Sequence, residues 1–400
     1  MFKFSFLLFV ACFSSFAQTV NNKNPVILIS LDGFSGKYLT KYQPPNLLSM
    51  ANKGISTDAL IPVYPSKTFP NHLTMVTGKS PAEHGIVHNS FYHRSLNKNY
   101  TLGSGKHNSA WLTAKPIWTI AEQQGIKTAV YFWPESETKV NNILPSHVKA
   151  YKHNTSNKVR LAQLISWLQL PESERPQLLI SYISTIDDIG HSHGTKAEQT
   201  KNAIRYVDKL LGDFVKKIHQ STSLTPNIII VSDHGMIDVN QGKKLNIGDL
   251  FTPQKNTIVV NGQTQLYMYN DDHEALARLH DQLTKHKNRQ HFRSYLAKDF
   301  PKHWQLNQQT QATPDMIIEA IPPAIFVKEG KHSPFATHGY DPTSNKDLNA
   351  MMIAFGPQFK PDCQIDKLEN KYIFHLVASL LSLEKIDSSE VIRPFFKRTP

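Results

Sequence analysis

Six side chains in this sequence have the types and the spacing that bind divalent cations. They are Asp32, Asp187, His191, Asp233, His234 and His338. Because Asp187 and His191 are four residues apart, one turn of chain can direct both toward a single cation, with Gly190 permitting a bend. Carboxylates and imidazoles without thiolates suit Zn²⁺, and Mn²⁺ is the alternative. Because the chain contains 19 histidines, any single Asp–His pair is more often a surface pair or a helix cap than a metal site.

A hydroxyl that could act as a nucleophile lies in residues 65–72. This segment is typical of a helix start, with Thr68 as the N-cap and Phe69-Pro70 in the first turn. A hydroxyl at a helix N-terminus faces unpaired N–H groups and the positive end of the helix dipole, which favour an alkoxide and the phosphate that it attacks. A neighbouring metal ion would favour deprotonation of this hydroxyl further.

Four short apolar runs predict the strands that would position these side chains. They are residues 26–31, 128–132, 178–183 and 228–232. Helical patterns lie between them at residues 115–124, 158–170 and 198–219. Apolar runs that alternate with helices predict an α/β fold with a doubly wound, mostly parallel sheet and helices on both faces.

The carboxyl ends of these strands carry most of the candidate ligands. Asp32 follows the first strand, Asp187 follows the third after a short linker, and Asp233-His234 follows the fourth. In open α/β sheets, ligand sites lie beyond the carboxyl ends of the strands. We therefore expect these side chains to share one edge of the sheet.

The pattern changes over residues 256–329, which predict a small α+β insertion. An alternating stretch covers residues 257–269, an amphipathic helix covers 273–285, and a further apolar stretch covers 314–328. The chain then returns to the main sheet through residues 351–355. His338, just beyond the insertion, could supply a further metal ligand.

Six motifs occur in an order and at a spacing that resemble one known family. The motifs are Leu31-Asp32-Gly33, Thr68-Phe69-Pro70-Asn71-His72, His84-Gly85-Ile86-Val87-His88-Asn89, Asp187 with Gly190-His191, Ser232-Asp233-His234-Gly235-Met236, and Thr337-His338-Gly339. They are similar to motifs of the nucleotide pyrophosphatase/phosphodiesterases of the alkaline phosphatase superfamily, from about residue 26 to about 381. The resemblance implies an alkaline-phosphatase-like domain over residues 18–400.

The resemblance also implies a catalytic apparatus with two Zn²⁺ ions. It assigns one ion to Asp187, His191 and His338. It assigns the other to Asp32, Asp233 and His234, together with the oxygen of Thr68. Thr68 would attack phosphorus and form a phospho-threonine that water then hydrolyses, while Asn89 would donate a hydrogen bond to a nonbridging phosphate oxygen.

Substrate recognition is implied by the resemblance at a set of mostly aromatic positions. Phe69 and Tyr151 would form the two sides of a nucleobase slot, with Leu102, Trp133 and Tyr182 nearby. Packing is an equal alternative for Trp133 and Tyr182. Two departures from the family pattern, Ser-Thr-Ile at 184–186 and His-Arg at 93–94, remove no ligand but could reshape the leaving-group side, which leaves the preferred diester open.

The predicted activity is hydrolysis of nucleotide phosphodiester or pyrophosphate bonds with release of nucleoside 5′-monophosphates. The alternatives on the same scaffold are a lysophospholipid or choline-phosphodiester phosphodiesterase and a phosphomonoesterase, for which Lys67 and Arg94 would supply positive charge. A catalytically silent binding protein would be expected to lack a ligand or Thr68, and this chain contains them all.

The N-terminus and the overall charge bear on location and partners. Residues 1–17 have the positive start, apolar run and small residues of an export signal, which predicts a periplasmic or secreted protein; acylation of Cys12, as in a lipoprotein, is the alternative. Without this segment, Cys363 is the only cysteine and the formal charge falls from +12 to +11 through the loss of Lys3. This charge favours anionic partners such as phosphates or an acidic membrane surface, and because the lysines are dispersed, ordinary solvated side chains explain most of it without nucleic-acid binding. No internal run approaches the roughly 20 apolar residues of a membrane span.

Overall fold

A computed structural model describes residues 24–306, 310–327, 333–386 and 389–397. The predicted export signal, residues 1–17, and Cys12 lie outside the described residues. Within the described ranges, no helix combines the length and the apolar composition that crossing a membrane requires.

The strands follow one another along the chain in short segments. They are β1 (Val26–Leu31), β2 (Gly54–Ile61), β3 (Phe91–His93), β4 (Lys98–Tyr100), β5 (Thr128–Tyr131), β6 (His147–Lys149), β7 (Leu178–Ile183), β8 (Asn227–Val231), β9 (Ile237–Asp238), β10 (Lys244–Asn246), β11 (Ile258–Asn261), β12 (Gln265–Tyr269), β13 (Phe292–Leu296), β14 (Met316–Ala320), β15 (Ile325–Val327), β16 (Ala336–Thr337), β17 (Ala350–Phe355), β18 (Cys363–Gln364) and β19 (Leu368–Glu369).

The helices separate most of the strands of the main sheet. They are α1 (Lys37–Tyr42), α2 (Pro45–Asn52), α3 (Thr68–Thr77), α4 (Pro81–His84), α5 (Ile117–Gln123), α6 (Asn157–Leu168), α7 (Thr185–His193), α8 (Glu198–Ser221), α9 (Ile247–Leu250), α10 (His273–Thr284) and α11 (Tyr372–Leu381).

The main sheet has the order β18-β2-β17-β8-β1-β7-β5-β6, with β19 also paired to β2. The five strands from β8 to β6 are parallel to one another, and β17 is antiparallel to both of its neighbours. Side chains of β1 alternate between two cores: Val26 and Leu28 pack with α3, α5 and α11, whereas Ile27 and Ile29 pack with α6 and α8. This arrangement confirms the predicted doubly wound, mostly parallel α/β sheet.

A second sheet, of order β11-β12-β14-β13, lies in the region predicted as an insertion. The expected single alternating stretch at 257–269 is instead a hairpin, in which Ile258 pairs with Tyr269 and Asn261 with Leu266. Leucines of α10 and apolar residues of β12 and β14 form a separate core for this sheet. The domain limits of 256 and 329 stay predictions.

Candidate active site

Three neighbouring strands of the main sheet deliver the acidic residues to one edge. Strand β1 lies between β7 and β8, with Val26 opposite both Leu178 and Asn227. Asp32 directly follows β1, and one residue separates Asp233 from the end of β8. Asp187 lies on α7, beyond the end of β7. The parallel arrangement therefore brings the carboxylates together, as the strand pattern predicted.

Asp32, Asp233 and His234 form a tight, buried group. Their ligand atoms all lie within 4.8 Å of one another. His234 Nε2 is 3.0 Å from Asp233 Oδ2 and 3.5 Å from Asp32 Oδ1. The backbone N–H of Gly33 donates to Asp233 Oδ1 at 3.2 Å, and the hydroxyl of Tyr182 donates to Asp32 Oδ2. These bonds leave one oxygen of each carboxylate facing His234.

Asp187 faces two further histidines. Its Oδ2 is 3.4 Å from His191 Nε2, and its Oδ1 is 3.7 Å from His338 Nε2. The expectation that Gly190 permits a bend is wrong, because residues 185–193 form the continuous helix α7. A Cβ at Gly190 would lie 2.7 Å from Met236 Sδ, so the glycine allows the end of the Met236 side chain to pack closely against α7.

His234 lies between the two groups of ligands. Its ring stacks on that of His338 with centroids 3.5 Å apart, and Asp187, His234 and His338 form a second group with ligand atoms within 4.8 Å. The structure thus brings all six predicted ligands together, but His234 belongs to both groups, whereas His191 belongs to neither and contacts Asp187 and the ring of His338. The division into two sets of three stays a prediction.

His234 and His338 present unprotonated nitrogens to the carboxylates, and all three histidines are oriented by backbone carbonyls. Each uses Nδ1 to bond a backbone carbonyl: His191 with Ala336 at 2.8 Å, His234 with Gly235 at 3.0 Å, and His338 with Ser66 at 2.8 Å. A carbonyl oxygen only accepts, so the ring proton is on Nδ1. Burial lowers the pKa of His234 and His338, which keeps both rings neutral with a lone pair on Nε2.

The carboxylates are unfavourable in this environment without a positive charge. Burial, followed by repulsion between the acids, raises the pKa of Asp32 and Asp233. Among the described residues, Asp32 Oδ1, Asp187 Oδ1 and Asp233 Oδ2 are buried without a hydrogen-bond partner. Lone pairs from carboxylates and neutral imidazoles that face one another repel unless a cation lies between them. The donor set therefore fits divalent metal ions.

Thr68 was expected to be the N-cap of α3. It is instead the first residue of that helix. Lys67 occupies the cap position with an extended backbone, and its side chain makes no capping hydrogen bond. The Thr68 hydroxyl is consequently not used for capping, and its oxygen lies 3.4 Å from His234 Nε2. A hydroxyl at the positive end of α3, beside the acidic group, is suited to attack an anionic phosphate ester.

Asn89 lies directly beside the start of α3. Its side-chain oxygen accepts a hydrogen bond from the N–H of Phe69 at 2.9 Å. This bond fixes the orientation of the amide and leaves its NH₂ group to donate elsewhere. The arrangement permits the predicted hydrogen bond to a phosphate oxygen.

A buried polar group that the sequence did not reveal supports the loop of His338. Lys67 Nζ donates to the carbonyl of His338 at 2.9 Å, and Gln265 Nε2 donates to that of Gly339. A Cβ at Gly339, where φ is +114°, would lie 2.2 Å from Lys67 Cε. Gln265 Oε1 also contacts His88 Nε2 at 3.3 Å, next to Asn89. The hairpin of β11 and β12 thus supports both the ligand loop and the segment of Asn89.

Glu319, on β14, is buried behind the same loop. It accepts hydrogen bonds from the hydroxyl of Tyr64 at 2.7 Å and the N–H of Asp341 at 3.0 Å. Burial is the main reason that its pKa rises to about 8. The folded state therefore retains a proton that an unfolded chain, with a glutamate pKa of about 4.3, releases at lower pH.

This shift predicts that stability falls as the pH rises from about 4.5 to about 8. In that window the folded state binds more protons than the unfolded state, and each pKa unit corresponds to about 1.4 kcal/mol. We expect Glu319→Gln, which keeps a hydrogen-bonding amide but cannot titrate, to flatten this part of the profile. Urea unfolding at several pH values measures the slope. Equal slopes in the two proteins would show that Glu319 is not responsible.

The predicted slot residues fall into two aromatic groups. Phe69 is largely buried and packs edge-on against Tyr100, with centroids 6.4 Å apart. Tyr151 is partly exposed and lies with Phe132 and Tyr182, at centroid distances of 4.3 and 6.3 Å. Phe132 was missed as a slot residue, although its position as the last residue of a predicted strand could have identified it.

Trp133 and Leu102 occupy opposite environments. Trp133 is fully buried, packs on the edge of His72 and donates its indole N–H to the carbonyl of that residue at 3.0 Å. It has no exposed surface to offer a base, so the packing alternative accounts for it. Leu102 is 57% exposed and stays a candidate for substrate contact.

Comparison with known proteins agrees with the motifs. A family model described as type I phosphodiesterase/nucleotide pyrophosphatase matches residues 26–341. The chain belongs to this family. It is 33% identical to venom phosphodiesterase of Naja atra over 91% of this chain and 45% of that protein, and 33% identical to ectonucleotide pyrophosphatase/phosphodiesterase family member 3 of Bos taurus over 90% and 42%.

The fold of the family is also recovered by structural comparison. A structure of murine ectonucleotide pyrophosphatase/phosphodiesterase 5, an inactive form in complex with AMP, superimposes with a TM-score of 0.83 at 22% identity, covering 92% of this chain and 97% of that one. Both the family and the fold expected from the motifs are thereby confirmed. The chain spans less than half the length of the two curated relatives.

Proposed function

We propose that this chain is a two-metal phosphodiesterase/nucleotide pyrophosphatase that releases nucleoside 5′-monophosphates through a covalent intermediate on Thr68. The observation that carries the proposal is the position of the Thr68 hydroxyl. It lies at the N-terminus of α3, 3.4 Å from His234 and next to carboxylate oxygens that have no partner among the described residues. Such a group can attack phosphorus beside bound cations.

Hydrolysis would proceed by two displacements. Thr68 Oγ1 attacks the phosphorus, the bond to the leaving oxygen breaks, and the nucleotide becomes esterified to Thr68. Water then attacks the same phosphorus, the bond to Thr68 Oγ1 breaks, and the nucleoside monophosphate is released. The amide of Asn89 donates to a nonbridging oxygen as charge develops on it.

The metal ions would be zinc, with manganese as the alternative. One would be held by Asp187, His191 and His338. The other would be held by Asp32, Asp233, His234 and the oxygen of Thr68. When bound, the pair would stabilise charge on the attacking and leaving oxygens. Support for this assignment comes from the neutral imidazoles and the partnerless carboxylate oxygens.

A nucleobase would stack in a slot between Phe69 and the group of Tyr151, Phe132 and Tyr182. Stacking suits every base, because each has a π face. Support comes from the partial exposure of Tyr151 and from the fold neighbour that was solved with AMP. We also propose that the protein acts outside the cytoplasm, as the names of its venom and ecto-enzyme relatives suggest.

The phosphomonoesterase alternative would need a positively charged side chain to contact the additional phosphate charge. The two candidate side chains, Arg94 and Lys67, make other contacts in the structure. Arg94 pairs with Asp315 at 2.6 Å and donates to the carbonyl of Thr313 at 2.7 Å. Lys67 donates to the carbonyl of His338. Neither is held ready for the additional charge of a monoester.

A panel of three nitrophenyl esters tests the proposed substrate class. With zinc present, we expect the thymidine 5′-monophosphate ester to be hydrolysed fastest and 4-nitrophenyl phosphate and 4-nitrophenyl phosphocholine much more slowly. A chelator should abolish all turnover. Faster hydrolysis of the monoester would favour the phosphomonoesterase, and faster hydrolysis of the choline ester would favour the lipid-directed enzyme.

A further inference from the structure

Arg160, on α6, is a buried arginine that the proposed chemistry does not use. Its side chain is 2% exposed and contacts two members of the group of Tyr151, Phe132 and Tyr182. Its guanidinium donates to the carbonyl of Tyr182 at 2.9 Å and to that of Lys152 at 3.3 Å. Its Nε has no hydrogen-bond partner, and among the described residues it forms no ion pair with a carboxylate.

Burial of a guanidinium without an acidic partner lowers the free energy of unfolding, because the charge loses its hydration. Removal of a charge from water is offset in most proteins by a counter-ion with good hydrogen-bond geometry. Here the compensation consists of two carbonyl oxygens and an aromatic face, since the Cζ of Arg160 lies 5.3 Å from the ring centroid of Tyr151. Arginine suits this role because its planar group can stack on a ring and donate in two directions at once.

These three contacts join two separate parts of the chain. Tyr151 and Lys152 belong to an irregular segment between β6 and α6, which lacks the hydrogen bonds of a sheet or helix. Tyr182 belongs to β7, and its hydroxyl donates to Asp32. Arg160 therefore fastens the irregular segment to a strand that also supports a candidate metal ligand.

We propose that Arg160 is a positioning residue that sets the preference for nucleotide esters over diesters without a base. It holds Tyr151 against Phe132, whose ring centroid is 4.3 Å away, so that the exposed part of the Tyr151 ring is preorganised to stack on a base. The inference rests on the proposed function, in which Tyr151 forms one side of the slot. It assigns Arg160 no contact with the phosphate.

The test compares two substrates with the same leaving group, the thymidine 5′-monophosphate 4-nitrophenyl ester and methyl 4-nitrophenyl phosphate. We expect Arg160→Met to lower kcat/KM for the thymidine ester by about 10-fold, mainly through KM, since a base stacked on an aromatic ring contributes on this scale. For the methyl ester we expect a change of less than about 2-fold. Arg160→Lys keeps the charge but cannot donate in two directions while stacking, so we expect an intermediate loss of kcat/KM on the thymidine ester. If the methionine variant does not fold, the lysine variant provides the test.

A double-mutant cycle separates action through Tyr151 from a general structural role. In a Tyr151→Ala background, Arg160→Met or Arg160→Lys should cause little further loss on the thymidine ester. Arg205→Met, at an exposed arginine on α8, is the control and should change neither substrate. The inference is overturned if the Arg160 variants lose kcat/KM equally on both esters, or if kcat/KM changes on neither ester. It is also overturned if the effects of the Arg160 and Tyr151 substitutions on the thymidine ester are fully additive. A wild-type protein that shows no preference for the thymidine ester would instead contradict the nucleotide specificity itself.

Discussion

Thr68→Ala is expected to reduce hydrolysis of the thymidine ester by at least about 10³-fold, because it removes the atom that attacks phosphorus. Folding should be little affected. The Thr68 side chain does not cap α3, and within the described part of the chain its hydroxyl makes a polar contact with His234 at 3.4 Å. Thr68→Ser keeps a hydroxyl and should retain part of the activity.

The measurement is kcat under saturating zinc, together with a thermal unfolding curve for each variant. Thr77→Ala, at the opposite end of the same helix, is the matched control. Its hydroxyl donates to the carbonyl of Leu73 and lies outside the proposed site, so turnover should be retained. Near-normal turnover by Thr68→Ala would exclude Thr68 as the nucleophile.

Asp233→Asn is expected to reduce hydrolysis of the thymidine ester by a similar factor. In the absence of metal, we expect the variant to be at least as stable as the wild-type protein. Asparagine can still accept from the N–H of Gly33, but it removes one of the buried carboxylates whose mutual repulsion raises their pKa values. The same change removes a charge that would bind a cation, so zinc should no longer stabilise the protein to the same extent.

Zinc content per chain and the melting temperature with and without zinc measure both effects. Asp208→Asn is the matched control, because Asp208 is also buried and accepts from the backbone N–H of Leu47 but lies on α8, away from the site. It should lower stability without changing zinc content. Full zinc content and normal turnover in Asp233→Asn would remove Asp233 from the ligand set.

The strands and the ligands were predictable because local sequence determines them. Strands β1 and β7 begin and end where their apolar runs do, since both faces of each are buried and the carboxylates occur only beyond the ends. For the same reason, Asp32 and Asp233 could be placed at the carboxyl edge. Asn261-Gly262 was an available turn signal for the hairpin of β11 and β12, and it was overlooked.

The supporting contacts were not predictable, because no periodicity relates their partners. Lys67 and His338 are 271 positions apart, and Gln265 and Gly339 are 74 apart. Arg160 has the spacing of an ordinary residue on a helix, and only the fold brings it against the carbonyl of Tyr182. The candidate ligands and the nucleophile could thus be identified from sequence, whereas the residues that support them could be identified only from the structure.

The stereochemical course at phosphorus tests the central claim most directly. A thymidine 5′-phosphorothioate 4-nitrophenyl ester of one configuration would be hydrolysed in ¹⁸O-labelled water, and the configuration of the product would be determined. Two in-line displacements, first by Thr68 and then by water, predict overall retention. Inversion would mean a single direct attack by water and would contradict a covalent intermediate on Thr68.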